Sequence, residues 1–177
     1  VWRNNKTGIT SVWLMNGTTR LSPTYVGTVA DTTYQIQQVA DFDGNGTADL
    51  LWWNAVQGDV WIWPMDGATV LSETYVGVVP DTQYRIQAAG DYNGDGNADI
   101  LWRNAVQGDV WVWLMDGLVK LSETYVGAVP DTNYRIVGAG DYDGNGNADI
   151  LWRHAVQGDV WVWLMDGLVK LSETHVG

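Results

Sequence analysis

The chain has 177 residues, a formal net charge of −12 and no cysteine. That length suits one domain of ordinary size, and no disulfide staples it. The acidity excludes a nucleic-acid partner, which demands a basic surface, and no apolar run is long enough to span a membrane.

The chain repeats itself every 50 residues. Val1-Trp2-Arg3-Asn4 aligns with Leu51-Trp52-Trp53-Asn54 and then with residues 101–104 and 151–154. Residues 101–127 and 151–177 differ only where Asn104 becomes His154 and Tyr125 becomes His175. Three full repeats and a 27-residue remainder result. In chain order the expected units are residues 1–33, a partial unit of three strands B, C and D, then full four-stranded units at 34–83, 84–133 and 134–177, together one domain.

The third unit shows the pattern. Strand A is expected over 84–90 and strand B over 99–104. The turn Ala105-Val106-Gln107-Gly108 leads to strand C over 109–115. Asp116-Gly117 is a hairpin signal, and strand D follows over 119–126. Pro130 marks the connector to the next strand A, since proline suits a connector better than a central strand. In strand C, Val110, Val112 and Leu114 face one side, and Trp111, Trp113 and Met115 face the other. Both faces are apolar, so the sheet must be covered on both sides. No helical segment is available to do this, but other copies of the sheet are. Four-stranded sheets stacked around an axis make a β-propeller. A β-sandwich would not need a strict repeat, and a parallel β-helix uses shorter rungs. The fold class is therefore all-β: four-stranded antiparallel propeller blades in an open arc of about 3.75 blades.

The A–B loops carry the chemistry. The first holds Asp41, Asp43, Asn45, Thr47 and Asp49. The second holds Asp91, Asn93, Asp95, Asn97 and Asp99. The third holds Asp141, Asp143, Asn145, Asn147 and Asp149. Oxygen-bearing side chains stand at positions 1, 3, 5 and 9, and position 7 offers its backbone carbonyl. Glycines at positions 4 and 6 permit the tight turn. A hard cation such as Ca²⁺ takes six to eight oxygens, carboxylates among them. Asp-Gly and Asn-Gly pairs also make ordinary hairpin turns, but a turn does not need three carboxylates that repel one another. Trp52, Trp102 and Trp152 stand where an EF-hand loop has its bidentate Glu, so each loop leads into a strand. The expectation is Ca²⁺ at three sites, which would offset six of the twelve net negative charges.

Each loop is followed by Ile-Leu-Trp-Arg or a close variant and then by Val-Trp-Leu-Met-Asp-Gly or a close variant. These motifs resemble the FG-GAP/VCBS-type repeats of bacterial secreted proteins, which are similar to the blades of the integrin α-subunit propeller. The resemblance covers nearly the whole chain, although no calcium loop precedes Val1. It implies calcium in the A–B loops, seven- or eight-bladed propellers and an extracellular or cell-surface location. It also implies ligand recognition on the face of the B–C turns and D–A connectors.

An open arc leaves apolar sheet faces uncovered, which is unfavourable. Further blades of a longer chain would cover them, or a second copy would. Head-to-tail association closes into a ring only if the rotation permits it, and otherwise makes a filament.

Most tryptophans read as inter-blade core: Trp2, Trp52, Trp102 and Trp152 on strand B, with Trp13, Trp63, Trp113 and Trp163 on strand C. Trp53 replaces an arginine at the position of Arg3, Arg103 and Arg153. A side chain there could stack on a sugar or pair with a carboxylate, or simply cover a blade edge. Trp53, Arg103, Asn104, Arg153 and His154 are the candidate ligand-binding residues. The two histidines, His154 and His175, read as drifted surface positions. There is no nucleophile elbow, phosphate loop or separate acid pair, and the chain is not expected to be an enzyme. The leading expectation is a calcium-stabilised extracellular adhesion module, lectin-like in recognising glycan or protein. The alternatives are a self-assembling structural protein and the propeller part of a larger polysaccharide-acting enzyme.

Overall fold

The computed structural model describes residues 1–177. All regular structure is antiparallel β, in two compact units, one of residues 1–41 and 45–80, the other of residues 42–44 and 81–177.

The first unit holds two larger sheets and a separate two-stranded hairpin. One consists of β1 (Trp2–Arg3), β2 (Ile9–Asn16) and β3 (Thr19–Thr28), in that order. The other contains β4 (Tyr34–Ala40), β5 (Asp49–Asn54) and β6 (Asp59–Trp63). A small hairpin of β7 (Met65–Asp66) and β8 (Thr69–Val70) follows, and β9 (Thr74–Val78) completes the sheet against β6. Pro64 separates β6 from β7, at the place where the next repeat has Leu114. Proline has no N–H to give to a ladder. Its carbonyl still accepts the N–H of Leu71 at 2.8 Å.

The second unit holds two uninterrupted four-stranded sheets. The third sheet of the chain is β10 (Tyr84–Gly90), β11 (Asp99–Asn104), β12 (Asp109–Asp116) and β13 (Val119–Ala128). The fourth is β14 (Tyr134–Gly140), β15 (Asp149–His154), β16 (Val160–Asp166) and β17 (Val169–His175). Each is a meander with its strands in sequence order. Strands A and B form with the expected bounds, and C and D run one and two residues further. The blades are propeller-like.

The cores lie between sheets. In the second unit, Val110, Val112 and Val126 of the third sheet share one core with Ile150, Trp152, Trp163 and Met165 of the fourth. In the first unit, Val26 and Val29 pack with Leu50, Trp52, Trp63 and Met65. The valine face of the leading sheet thus receives the tryptophan face of the following one. Of the eight tryptophans expected in the core, six are buried. Trp2 and Trp13 are 56% and 38% exposed. This corrects the expectation. The first sheet turns Val26 and Val29 toward the second, and Trp2 and Trp13 do not share that core.

The B–C turn and the D–A connector are tied together in the first three sheets. Val129 N–H donates to Gly108 O at 3.0 Å, and Val79 N–H to Gly58 O at 2.9 Å. Gly108 has φ of +81°, and a Cβ there would lie 2.0 Å from Val129 O. Only glycine allows both the angle and the approach.

Candidate metal centre

The third loop can be built residue by residue. Gly144 and Gly146 have φ of +82° and +91°. Those angles turn successive N–H groups inward, making a concavity for an anion. The carboxylate of Asp141 fills it: Oδ1 accepts from Gly144 and Asn145 at 2.7 and 3.1 Å, and Oδ2 from Gly146 at 3.0 Å. These bonds, Gly146's first, hold the Asp141 carboxyl below its ordinary pKa. Asn145 braces the loop, its Nδ2 donating to Met165 O at 2.7 Å and its Oδ1 accepting from Asn147 N–H at 2.7 Å. Asp149 is fully buried. Its Oδ1 accepts from Met165 N–H at 2.7 Å and its Oδ2 from Tyr142 N–H at 2.8 Å. One buried carboxylate therefore ties the loop's entrance to the end of strand C.

A cation would meet a set of oxygens here. One carboxylate oxygen each from Asp141, Asp143 and Asp149 lies within 4.8 Å of the others, and Asp41, Asp43 and Asp49 are grouped in the same way. Ligands at 2.3–2.6 Å from one Ca²⁺ lie no more than roughly 5 Å from each other. The all-oxygen donor set and its spacing fit a hard cation. Such an ion would neutralise carboxylates held close together.

The middle loop differs. Asn93 stands at position 3 and Asp95 at position 5, and no such trio forms there. Asp95 accepts instead from Asn93 Nδ2 at 2.8 Å, Asn97 Nδ2 at 3.1 Å and Asn97 N–H at 2.8 Å. Burial opposes its ionisation, but these bonds outweigh it and hold its pKa down. Asp99 behaves oppositely. Burial pushes its carboxyl up to about 6, against the bonds from Met115 and Tyr92 and with added repulsion from Asp95 and Asp91.

The ligand-binding candidates prove mostly structural. Arg103 is buried at 6% exposure and donates to three carbonyls: Tyr134 O at 2.6 Å, Val129 O at 2.8 Å and Asp131 O at 3.3 Å. It clamps the D–A connector. Trp53 is buried at 2% exposure and presents no platform to a sugar. Asn104 is buried, and its Oδ1 accepts the N–H groups of Val106 and Gln107, both at 2.9 Å. His154 takes over that task. Its Nδ1 accepts from Gln157 at 2.9 Å and Val156 at 3.3 Å, which places the proton on Nε2, 3.4 Å from Asp131 Oδ2. At 5% exposure it is a buried turn cap and not a drifted surface residue. Of the five, only Arg153 is exposed. His175 is exposed and lies against Trp161, with ring centres 5.1 Å apart, as Tyr125 lies against Trp111.

Sequence reasoning missed the arginine clamp. The signal was present: the arginine recurs with its repeat, and the connector it holds follows 26 residues later. It also missed a pair of aromatic recesses. One, of about 250 Å³, is lined by Val129, Tyr134, Trp152, Trp161 and Glu173, among others. Its equivalent in the first unit, of about 200 Å³, is lined by Val29, Tyr34, Trp52, Trp61 and Glu73.

Repeated four-stranded antiparallel sheets with acidic A–B loops define a propeller-like, blade-built protein. The model of the FG-GAP-like repeat family matches residues 41–102 and 91–152, well over half of the sequence, and the chain belongs to that family. A search of curated proteins gives no match. FG-GAP repeats suggest an adhesion-like β-propeller module of the kind typical of extracellular proteins, and the family is generally a non-catalytic binding or structural one.

Proposed function

We propose that the chain is a calcium-stabilised, extracellular adhesion module, its A–B loops holding Ca²⁺ and its recesses taking a carbohydrate ring. The observation that carries the calcium reading is the convergence of Asp141, Asp143 and Asp149. The ligands would be the loop residues at positions 1, 3, 5, 7 and 9. Affinity of roughly 10⁻⁴–10⁻³ M, as in extracellular modules, suits a calcium-rich exterior. The carbohydrate reading is supported by the recurrence of one half-buried tyrosine, one half-buried tryptophan and one exposed glutamate in both recesses, Tyr134, Trp161 and Glu173 in one and Tyr34, Trp61 and Glu73 in the other. An aromatic face suits the C–H face of a sugar and a carboxylate accepts its hydroxyls. Both volumes fall below the ~300–1,000 Å³ of drug-sized sites, so a single ring is the expected occupant. Lanthanide luminescence, with Tb³⁺ replacing Ca²⁺ and tryptophan as antenna, tests the first part. A glycan array with calcium-loaded protein tests the second, and a blank array would leave a protein surface as the ligand.

The exposure of Trp2 and Trp13 favours a second reading, in which the module also assembles with copies of itself or with further repeats.

A further inference from the structure

Two sheet-to-sheet junctions within the chain follow one pattern. Between the first and second sheets, Arg3 lies 5.5 Å from the ring centre of Trp52 while it donates to Val29 O. Between the third and fourth, Arg103 lies 5.1 Å from the ring centre of Trp152 while it donates to Val129 O. A second contact accompanies the first. A Cβ at Gly27 would come within 3.0 Å of the Trp63 ring, and one at Gly127 within 3.0 Å of the Trp163 ring. The leading sheet thus offers an arginine and a glycine notch. The following sheet offers a tryptophan pair, Trp52 with Trp63 at 4.9 Å or Trp152 with Trp163 at 5.0 Å between ring centres.

Each half of this junction occurs once more with its residues exposed. The first sheet carries the pair Trp2 and Trp13, 4.7 Å apart and 56% and 38% exposed. The fourth sheet carries exposed Arg153, and Gly177, just past β17, stands at the repeat position of Gly127. Leu151 and Val160 are only half-buried there, whereas their counterparts Leu101 and Val110 are fully buried.

We infer that copies of this chain dock head to tail. Trp2 and Trp13 of one copy take, against the fourth sheet of another, the places that Trp152 and Trp163 hold against the third. The guanidinium of Arg153 then covers Trp2, and the ring of Trp13 enters the notch at Gly177. A second copy is the fitting occupant because residues 151–177 repeat residues 101–127 with two differences. Neither alters the docking face: His154 caps the same turn as Asn104, and His175 packs on Trp161 as Tyr125 does on Trp111. The strands of the fourth sheet therefore repeat the strand surface that the third uses. Arginine over tryptophan is a favourable pairing, and both types are enriched among residues that dominate interfaces. The net charge of −12 opposes association at low salt and is screened at high salt.

This inference rests on the reading that copies associate, and the test separates the two. Sedimentation of the 177-residue chain across a concentration series at high salt should show association. Trp2→Ala and Arg153→Ala should each weaken it about tenfold or more and leave the circular dichroism unchanged, since both side chains are exposed. Mixing the two variants should restore a one-to-one pair, because each lacks a different half of the junction. A monomer at every concentration overturns the association reading and the docking together. Association that neither substitution weakens, or that mixing fails to rescue, overturns the docking surfaces alone.

Discussion

Asp149 Oδ1 accepts the N–H of Met165 at 2.7 Å, and the pairs Asp99–Met115 and Asp49–Met65 repeat the contact at 2.8 Å. Position 9 of the loop is thus a strut of the blade as well as a candidate metal ligand. Asp149→Asn places an amide N–H₂ against one of two backbone N–H donors. Leaving a buried donor unmet costs about 1–3 kcal/mol, or roughly 2–12 °C in Tm for a chain of this size. The loss should appear with or without calcium. Asp143→Asn, on the exposed rim of the same loop, should lower Tm only when calcium is present. Thermal melts of both variants in calcium and in chelator check this.

Removing calcium should lower Tm of the native chain. At free calcium about 100 times the dissociation constant, each independent site adds about 2.7 kcal/mol. Mg²⁺ should restore stability poorly, because it demands near-ideal octahedral geometry. The loop at 91–99 should be the weakest site, since Asp95 is engaged by the amides of Asn93 and Asn97. Asn93→Asp removes that donor and should tighten it. Titration calorimetry of native and variant protein gives the ranking. Melting that does not respond to chelator, once stripping of metal is verified, would reduce the loops to turns.

Arg103 and Arg153 hold the same place in their repeats, yet only Arg103 is buried with three carbonyls to hold. Arg103→Ala leaves those carbonyls without their charged donor and should cost about 1.5–3 kcal/mol or more. Arg153→Ala should stay within about 0.5 kcal/mol in the monomer, as surface changes do. Denaturant melts of the two variants make the comparison.

His154→Asn should be close to neutral, because an amide oxygen accepts the same two N–H groups at Asn104. His154→Ala removes the acceptor and should cost about 1–3 kcal/mol. An equal loss in both variants would mean that the imidazole contributes through packing on Tyr134, whose ring centre lies 4.7 Å away, and not as a cap.

Asp131 gives a pH dependence. The N–H of Asn133, then its amide and His154, hold the Asp131 carboxyl below the usual range against some desolvation. The folded state therefore binds its proton less readily than the unfolded state. Its contribution is fully present above the ordinary aspartate pKa of ~3.9 and is lost as pH falls through the lower folded value. Asp131→Asn should flatten acid unfolding in that window, as followed by tryptophan fluorescence.

The architecture was legible in the sequence because the period is strict and strand C is apolar on both faces. The acidic clustering of the loops was legible because oxygen-bearing side chains at alternate positions with two glycines form a local pattern. What stayed hidden was non-local. Arg103 looked like a rim residue because its carbonyl partners lie 26, 28 and 31 residues on. The middle loop looked equivalent to its neighbours, because exchanging Asp and Asn between positions 3 and 5 preserves the motif while redirecting its hydrogen bonds. Trp2 and Trp13 looked buried because repeat position names a residue's kind of surroundings and does not supply the neighbouring sheet.

The arginine clamp also has a genetic consequence. Arg103 lies in one 50-residue period and reaches a carbonyl, Tyr134 O, at the first strand of the next blade. A recombination event that adds or removes a whole period carries a clamp and a receiving connector together, wherever the crossover falls. One that shifts the phase by a few residues separates them. Lengthening of such an array is therefore quantised, with each viable step one period long.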